Sequence, residues 1–251
     1  YLGNCLVNVG CVGIVKKKDL RDNAVGGVGD HLILCGGRTG RDGIHGVTFA
    51  SAELSDKSED ESRGAVQLGD PITKEPLIHA CLEVNSLGLI NGMKDLGGGG
   101  LSCVVGEMAL SGGCGAEVDL DKVPLKESGL APWEVWVSES QERMMLAASE
   151  KNVKRILDLF AMWDVDATVI GKVVPGKHVT LKWQGVQVFQ VDLDFLTKGP
   201  EYCRPCKIEV PSKKIKEQRP LLPDTKTVLL DLLADPNIAS KEWVFRMYDH
   251  E

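Results

Sequence analysis

Four consecutive glycines, Gly97–Gly100, constrain the fold of this chain more than any other feature of its sequence. They follow an apolar run over residues 87–93 that ends in Lys94 and Asp95, and they precede a stripe of apolar residues at helical spacing. A strand, a glycine turn and a helix in this order leave backbone N–H groups free at the helix start. The segment therefore predicts a ligand site with Asp95 at its edge, although a carboxylate at this place also serves as an ordinary helix cap.

A second polar segment, Ser138–Met144, places Glu139, Ser140 and Gln141 side by side before a buried run. In one interpretation it is a polar turn between a short helix at 132–137 and a strand at 143–148. In the other, a carboxylate beside an amide binds ribose hydroxyls or an amide-bearing substrate. Gln67 stands before a similar turn, where on its own it indicates no more than a helix entry.

The loop at 36–46 is rich in glycine and carries Arg38, Arg41 and His45. It lacks the Gly-Lys-Ser/Thr ending of a nucleotide-binding P-loop, so it does not by itself predict a nucleotide site. Two interpretations remain equally open: an anion site made by cations and free N–H groups, or a tight structural connection.

Composition excludes several classes of function. A net charge of −7 and the lack of a continuous basic face argue against a nucleic-acid partner. The sequence has neither an apolar run of roughly 20 residues nor a signal peptide, so we expect no membrane partner and a soluble, cytoplasmic protein. Eight dispersed cysteines are typical of reduced thiols, and the lone pair Cys203 and Cys206 is too few for structural zinc.

Hydrophobic periodicity predicts an α+β sandwich with a mixed sheet rather than a purely parallel one. Strands are expected at 5–15, 31–35, 115–120 and 143–148, and a meander at 165–174, 178–183 and 186–191. Helices are expected from Pro76, after the glycine run, after Ser149, at 225–234 and at 240–249. His79 falls on the solvent face of its helix.

Taken together, the motifs resemble those of the large synthetase subunit of phosphoribosylformylglycinamidine synthase. The similarity covers about residues 4–205, and the motifs that carry it lie at 40–46, 49–52, 66–71, 94–97, 100–102 and 138–144. Aminoimidazole ribonucleotide synthetase, selenophosphate synthetase and hydrogenase-maturation proteins share the architecture more loosely. The resemblance implies a fold like the C-terminal domain of aminoimidazole ribonucleotide synthetase.

The resemblance also implies an activity: ATP-dependent amidation of formylglycinamide ribonucleotide, a step of purine biosynthesis, with ammonia that a separate glutaminase releases from glutamine. Gln67, Glu139, Ser140 and Gln141 would bind the ribonucleotide, and Asp95 would ligate Mg²⁺. A small bridging subunit is a further expected partner. No catalytic residue is assigned, because the catalytic histidines, the ATP-binding lysine and the first acidic metal ligand would lie upstream of residue 1.

By the same resemblance, residues 1–50 would be the tail of an ATP-binding domain and 51–62 a linker. Residues 63–205 would form the C-terminal-type domain, and 206–251 a linker and the start of a following domain. We expect such a fragment to be inactive alone. Two alternatives stay open: another ATP-dependent synthetase or kinase of the same superfamily, and a non-catalytic binding module.

Overall fold

The computed structural model describes residue 10 and residues 12–44, 67–199, 203–205 and 224–246. Seven strands are found in this part of the chain: β1 (His31–Gly36), β2 (Gly92–Asp95), β3 (Gly115–Asp119), β4 (Arg143–Ala148), β5 (Ala167–Val174), β6 (His178–Trp183) and β7 (Val186–Asp192). The helices are α1 (Pro71–Ser86), α2 (Leu101–Ser111), α3 (Pro132–Val137), α4 (Glu150–Met162), α5 (Leu193–Lys198), α6 (Thr225–Ala234) and α7 (Glu242–Phe245).

The strands form one sheet in the order β2-β4-β1-β5-β3-β6-β7. All neighbouring strands are antiparallel except β3 and β6, which are parallel. The predicted mixed sheet is thus confirmed. β6 and β7 form a tight hairpin through Gln184 and Gly185, whose φ angles of 51° and 74° suit a two-residue turn.

Helices cover both faces of the sheet, and the alternation of side chains along β1 shows why its six residues are all buried. Leu32 and Leu34 belong to an apolar cluster with residues of α2, α3 and α5. Ile33 and Cys35 belong to a second cluster with residues of α1 and α4. The domain is therefore a sheet between two helical layers.

The position of β1 corrects the predicted domain boundary. This strand pairs with β4 on one side and with β5 on the other, so it lies inside the sheet of the domain that was expected to begin at residue 63. The prediction that residues 1–50 belong to another domain is therefore wrong for β1. Sequence reasoning failed here because a strand's partners lie far away along the chain. The predicted linker at 51–62 falls outside the described residues.

Helix α1 begins five residues before the predicted start at Pro76. Asp70 is its N-cap and accepts a hydrogen bond from the Thr73 backbone N–H at 3.3 Å, and Pro71 takes the first helical position. Pro76 lies inside the helix. Either Pro71 or Pro76 could begin the helix. The helix begins at Pro71 because the Asp70 carboxylate caps it there.

The predicted meander is right for β6 and β7, which pair with each other. It is wrong for β5, because β3 lies between β5 and β6. The turn signal at Pro175 and Gly176 marks the chain leaving β5, but a turn signal does not specify which strand becomes the neighbour. The predicted strand at 5–15 is not found in its described part, where residues 12–15 are irregular and exposed. Residues 5–9 and 11 fall outside the described residues.

Residues 203–251 form a separate unit, so the boundary lies three residues before the predicted one. Within this unit the helix at 225–234 is confirmed, whereas the one expected at 240–249 is helical only over Glu242–Phe245. Residues 247–249 are not described. In the described part of the chain, no helix combines the length and the apolar character that crossing a membrane requires.

Candidate functional site

Three predicted segments meet at one end of the sheet because of the way three strands are paired. β4 lies between β1 and β2 and runs antiparallel to both, with Gly36 opposite Arg143 and Asp95 opposite Met144. The loops that follow β1 and β2 therefore meet the loop that precedes β4. This last segment, residues 138–142, is called the polar loop below.

Glu139 joins the segments. Its Oε2 accepts a hydrogen bond from Gln67 Nε2 at 2.7 Å, and its Oε1 accepts one from the Gly99 backbone N–H at 3.0 Å. The side chain is largely buried, with 8% of the residue exposed. The sequence-predicted residues Gln67 and Glu139 are thus in direct contact, beside the glycine run that follows Asp95.

Gly43 lies directly against this pair. Its φ of +71° favours glycine, and a Cβ added there would lie 2.5 Å from Glu139 Cβ and 3.0 Å from Gln67 Nε2. A side chain at this position would push the Gln67 amide and the Glu139 carboxylate apart. The close approach of the 36–44 loop thus requires glycine at position 43.

Ser140 faces the protein interior. Its fully buried hydroxyl accepts a hydrogen bond from the Gly40 N–H at 2.9 Å and donates one to Asp42. Lys126 Nζ lies 2.8 Å from the same carboxylate. Burial alone would raise the pKa of Asp42, but hydrogen bonds from Lys126 and Ser140 outweigh it and hold that pKa below its ordinary value. Asp42 is therefore ionised, and its carboxylate holds the polar loop in place through the hydrogen bond from Ser140.

The buried guanidinium of Arg143 holds the polar loop from beneath. It donates to the carbonyl oxygens of Ser138 and Ser140, each at 2.7 Å, and to Thr39 Oγ1 at 2.9 Å. Only 2% of the residue is exposed, and this burial lowers its pKa to about 10. Even so, the side chain is cationic at neutral pH and satisfies three buried acceptors at once.

Gln141 turns to the other side of the loop. Its Nε2 donates to the Glu139 carbonyl oxygen at 2.9 Å, and the residue lines a polar cavity of about 290 Å³. Arg38, Lys126 and Asp70 line the same cavity. The three consecutive residues Glu139, Ser140 and Gln141 thus do different things: one joins segments, one anchors the loop and one faces an open cavity.

Asp95 ends β2 with an exposed side chain that makes no hydrogen bond to any other described residue. No group of three metal-ligating side chains occurs among the residues that the structure describes. Because Mg²⁺ commonly takes only one or two protein carboxylates, with water and phosphate oxygens as its other ligands, a free carboxylate fits that ion as a single protein ligand.

The two described cations of the 36–46 loop are engaged in ion pairs. Arg38 Nε lies 3.0 Å from Asp166, and Arg41 contacts Glu127 at 2.8 Å and Glu134 at 2.7 Å. These contacts support the interpretation of the loop as a structural connection over that of an anion site. His45 lies outside the described residues.

Sequence reasoning missed Asp42, Lys126 and Arg143, which hold the site together. For Arg143 the sequence offered one signal: a cation stands at the start of an apolar strand. A buried cation needs hydrogen-bonding or charged partners, so this position indicated that such partners lie nearby. Nothing in the sequence linked Lys126 to Asp42. His79 is half-exposed, as expected, and the structure adds that its ring stacks on Trp163. The described cysteines are free thiols: Cys35, Cys81, Cys103, Cys114 and Cys203. Cys206 is not described.

Comparison with known proteins gives consistent results. Residues 27–184 match the family model described as AIR synthase related protein, C-terminal domain. The phosphoribosylformylglycinamidine synthase subunit PurL of Picrophilus torridus is 46% identical over 250 residues, which is the whole of this chain and 33% of that protein. The chain thus spans about a third of the length of the curated relatives it matches.

Two solved structures agree with this similarity. T. maritima PurL complexed with FGAR superposes with a TM-score of 0.69 at 33% identity, covering 80% of this chain and 33% of that one. T. maritima PurL complexed with ATP gives 0.63 at 30% identity, covering 80% and 31%. The family match begins at residue 27 and so includes β1 in the domain, as the sheet does. The chain belongs to the AIR synthase related proteins, and it carries their C-terminal domain.

Proposed function

We propose that this chain is part of a phosphoribosylformylglycinamidine synthase and contributes contacts to its ribonucleotide substrate. The observation that carries the proposal is the contact of Glu139 with Gln67 and with the glycine run beside Asp95. Whole-chain similarity to PurL subunits supports it. A non-catalytic binding module gains nothing from a carboxylate, an amide and an aspartate that no described residue pairs with, all at one end of the sheet. No observation favours a different synthetase or kinase.

In this proposal the four polar residues divide the work. The Glu139 carboxylate and the Gln67 and Gln141 amides offer acceptors and donors to the hydroxyl and amide groups of formylglycinamide ribonucleotide. Ser140, whose hydroxyl is buried and bonded, positions the polar loop rather than contacting the ligand through its side chain. Asp42 and Arg143 keep the loop in place before any ligand binds, which lowers the entropic cost of binding.

Asp95 would supply one carboxylate oxygen to a magnesium ion. When bound, Mg²⁺ neutralises negative charge on phosphate oxygens during phosphoryl transfer. The exposed position of Asp95 at the end of β2 leaves its oxygens free for that role.

The complete reaction would be the ATP-dependent amidation of the substrate amide to an amidine. ATP would phosphorylate the amide oxygen, and ammonia released from glutamine by a glutaminase would displace the phosphate. The glutaminase and a small bridging subunit are proposed partners, and the cytoplasm is the proposed compartment. The described residues include no assigned catalytic group, so we expect this chain alone to bind substrate without turning it over.

Isothermal titration calorimetry of formylglycinamide ribonucleotide into this chain, with and without MgCl₂, tests the proposal. Glu139→Ala should weaken binding roughly tenfold or more, since it removes charge-assisted hydrogen bonds. Asp95→Asn should abolish the magnesium dependence and leave magnesium-free binding unchanged. Glu150→Ala, at an exposed carboxylate on α4, is the matched control and should bind like the wild type. A folded wild-type chain that binds nothing would overturn the assignment of substrate contacts to this chain.

A further inference from the structure

A second cavity, of about 340 Å³, opens on the face of the sheet that α1 and α4 partly cover. Strands β1, β5, β3 and β6 form its floor. It begins at His31, at the opposite end of β1 from Gly36, so about 17 Å of strand separates it from the candidate substrate site. The cavity is therefore distinct from that site.

His31 is the unusual member of this cavity. The residue is only 9% exposed, and neither ring nitrogen has a hydrogen-bond partner among the described residues. Lys172 is its direct partner on β5, and Glu117 on β3 is in turn opposite Lys172. Directly paired residues project from the same face of a sheet, so the three side chains form a row along the cavity floor.

Cations outnumber carboxylates here. Glu117 is paired with Lys182 at 2.8 Å, and Asp119 with Lys122 at 3.2 Å. Both carboxylates are thus neutralised within the cavity. Lys172 makes no ion pair with any residue that the structure describes. Among the described residues, Lys172 is thus an unpaired cation in the same row as the buried imidazole, which gives the described lining a net positive charge and N–H donors without a partner.

We propose that this cavity binds a small oxyanion, of phosphate or carboxylate type, with His31 and Lys172 as its main contacts. Oxyanions accept hydrogen bonds from N–H donors and are favoured by unpaired positive charge. Such a ligand would satisfy a buried polar ring that otherwise carries a desolvation cost. A metal ion is disfavoured, because both carboxylates of the cavity are already paired with lysines and Lys172 adds positive charge.

The test follows backbone amide resonances of the 251-residue chain by NMR during titration with inorganic phosphate and, in a separate arm, with acetate, at constant ionic strength. The expected result is saturable shifts centred on residues 31 and 172, and the two arms distinguish a phosphate-type from a carboxylate-type ligand. Lys172→Gln, at an exposed position that does not threaten folding, should weaken binding about threefold to tenfold. His31→Asn should weaken it by a similar or larger factor.

Lys151→Gln removes an exposed charge from the start of α4, outside the cavity, and serves as the control. It should leave the affinity unchanged. The proposal is overturned if neither anion gives saturable shifts at residues 31 and 172. It is equally overturned if Lys172→Gln and Lys151→Gln weaken binding alike, because the effect would then be general charge screening.

Discussion

Gln67 Nε2 and Glu139 Oε2 form a 2.7 Å hydrogen bond across a separation of 72 residues. The two residues come from separate segments, and no short stretch of the sequence contains both of them. Their contact connects the entrance of α1 to the polar loop before β4. Because Glu139 also accepts a hydrogen bond from the glycine run, one carboxylate fixes the relative position of three segments.

Gly43→Ala should separate the Gln67–Glu139 pair and destabilise the domain. The positive φ costs about 1 kcal/mol for alanine, and the contact with Glu139 should add about 1–3 kcal/mol. Gly129→Ala is the matched control, because Gly129 has a φ of +79° with open space around its missing Cβ. Urea denaturation of the two variants measures the difference. Equal losses of stability would show that the contact is without consequence.

Arg143→Met should lower the free energy of unfolding by about 3 kcal/mol or more, because it leaves three buried acceptors without a donor. Arg143→Lys should recover only part of this loss, since an ammonium group lacks the planar fork that reaches all three. The control is Arg38→Met, which removes an exposed ion pair and should cost about 0.5 kcal/mol or less. If both methionine variants unfold at the same denaturant concentration, the bracing role of Arg143 is refuted.

The Asp42 carboxylate should make stability depend on pH in the acid range. Its pKa is lower in the folded state than in the unfolded state, so its stabilising contribution is complete above the unfolded pKa of about 4. That contribution is lost as the pH falls through the folded pKa. The stability difference between the wild type and Asp42→Asn should therefore be constant from pH 7 to about 5 and shrink below about 4.

Denaturation curves at a series of pH values measure this difference. Asp158→Asn, at an exposed carboxylate on α4, provides the comparison and should change stability little at any pH. A wild-type advantage over Asp42→Asn that persists undiminished to pH 3 would contradict the role of Asp42.

Thiol reactivity should report on the start of α2. Exposed Cys103 should react with iodoacetamide at pH 8, whereas Cys35 and Cys81 should react only after unfolding. Burial raises the pKa of the Cys81 thiol to about 12 and that of Cys35 well above its ordinary value, so neither is a thiolate. If the proposed substrate binds beside the glycine run, it should slow the modification of Cys103. Peptide mass spectrometry resolves the sites.

Local pattern was enough to predict much of the fold. The apolar stripe of α2, the bounds of α3 and β4 and the β6–β7 hairpin all follow from periodicity and turn residues within a few positions of one another. The glycine run and the polar loop were predicted as candidate site segments for the same reason, since the polar groups of each are contiguous in sequence.

Long-range pairing could not be predicted in this way. The insertion of β3 between β5 and β6, and the hydrogen bonds of Arg143 to Thr39 and of Lys126 to Asp42, join segments that no short window contains. Asp70 and Pro71 show the same limit at short range. Pro71 and Pro76 could each be the first residue of α1, and the Asp70 side chain, which caps the helix, places the start at Pro71. Hydrophobic periodicity alone does not distinguish between these two starts.

The central place of β1 bears on how this domain forms during synthesis. Its two neighbours, β4 and β5, are encoded more than a hundred residues later, so the strand leaves the ribosome long before either partner exists. Contacts of such high sequence separation fold slowly and leave apolar strand edges exposed in the meantime. Translation through Val174 is thus the earliest point at which the middle of the sheet can close, and until then both edges of β1 cannot be paired as they are in the folded domain.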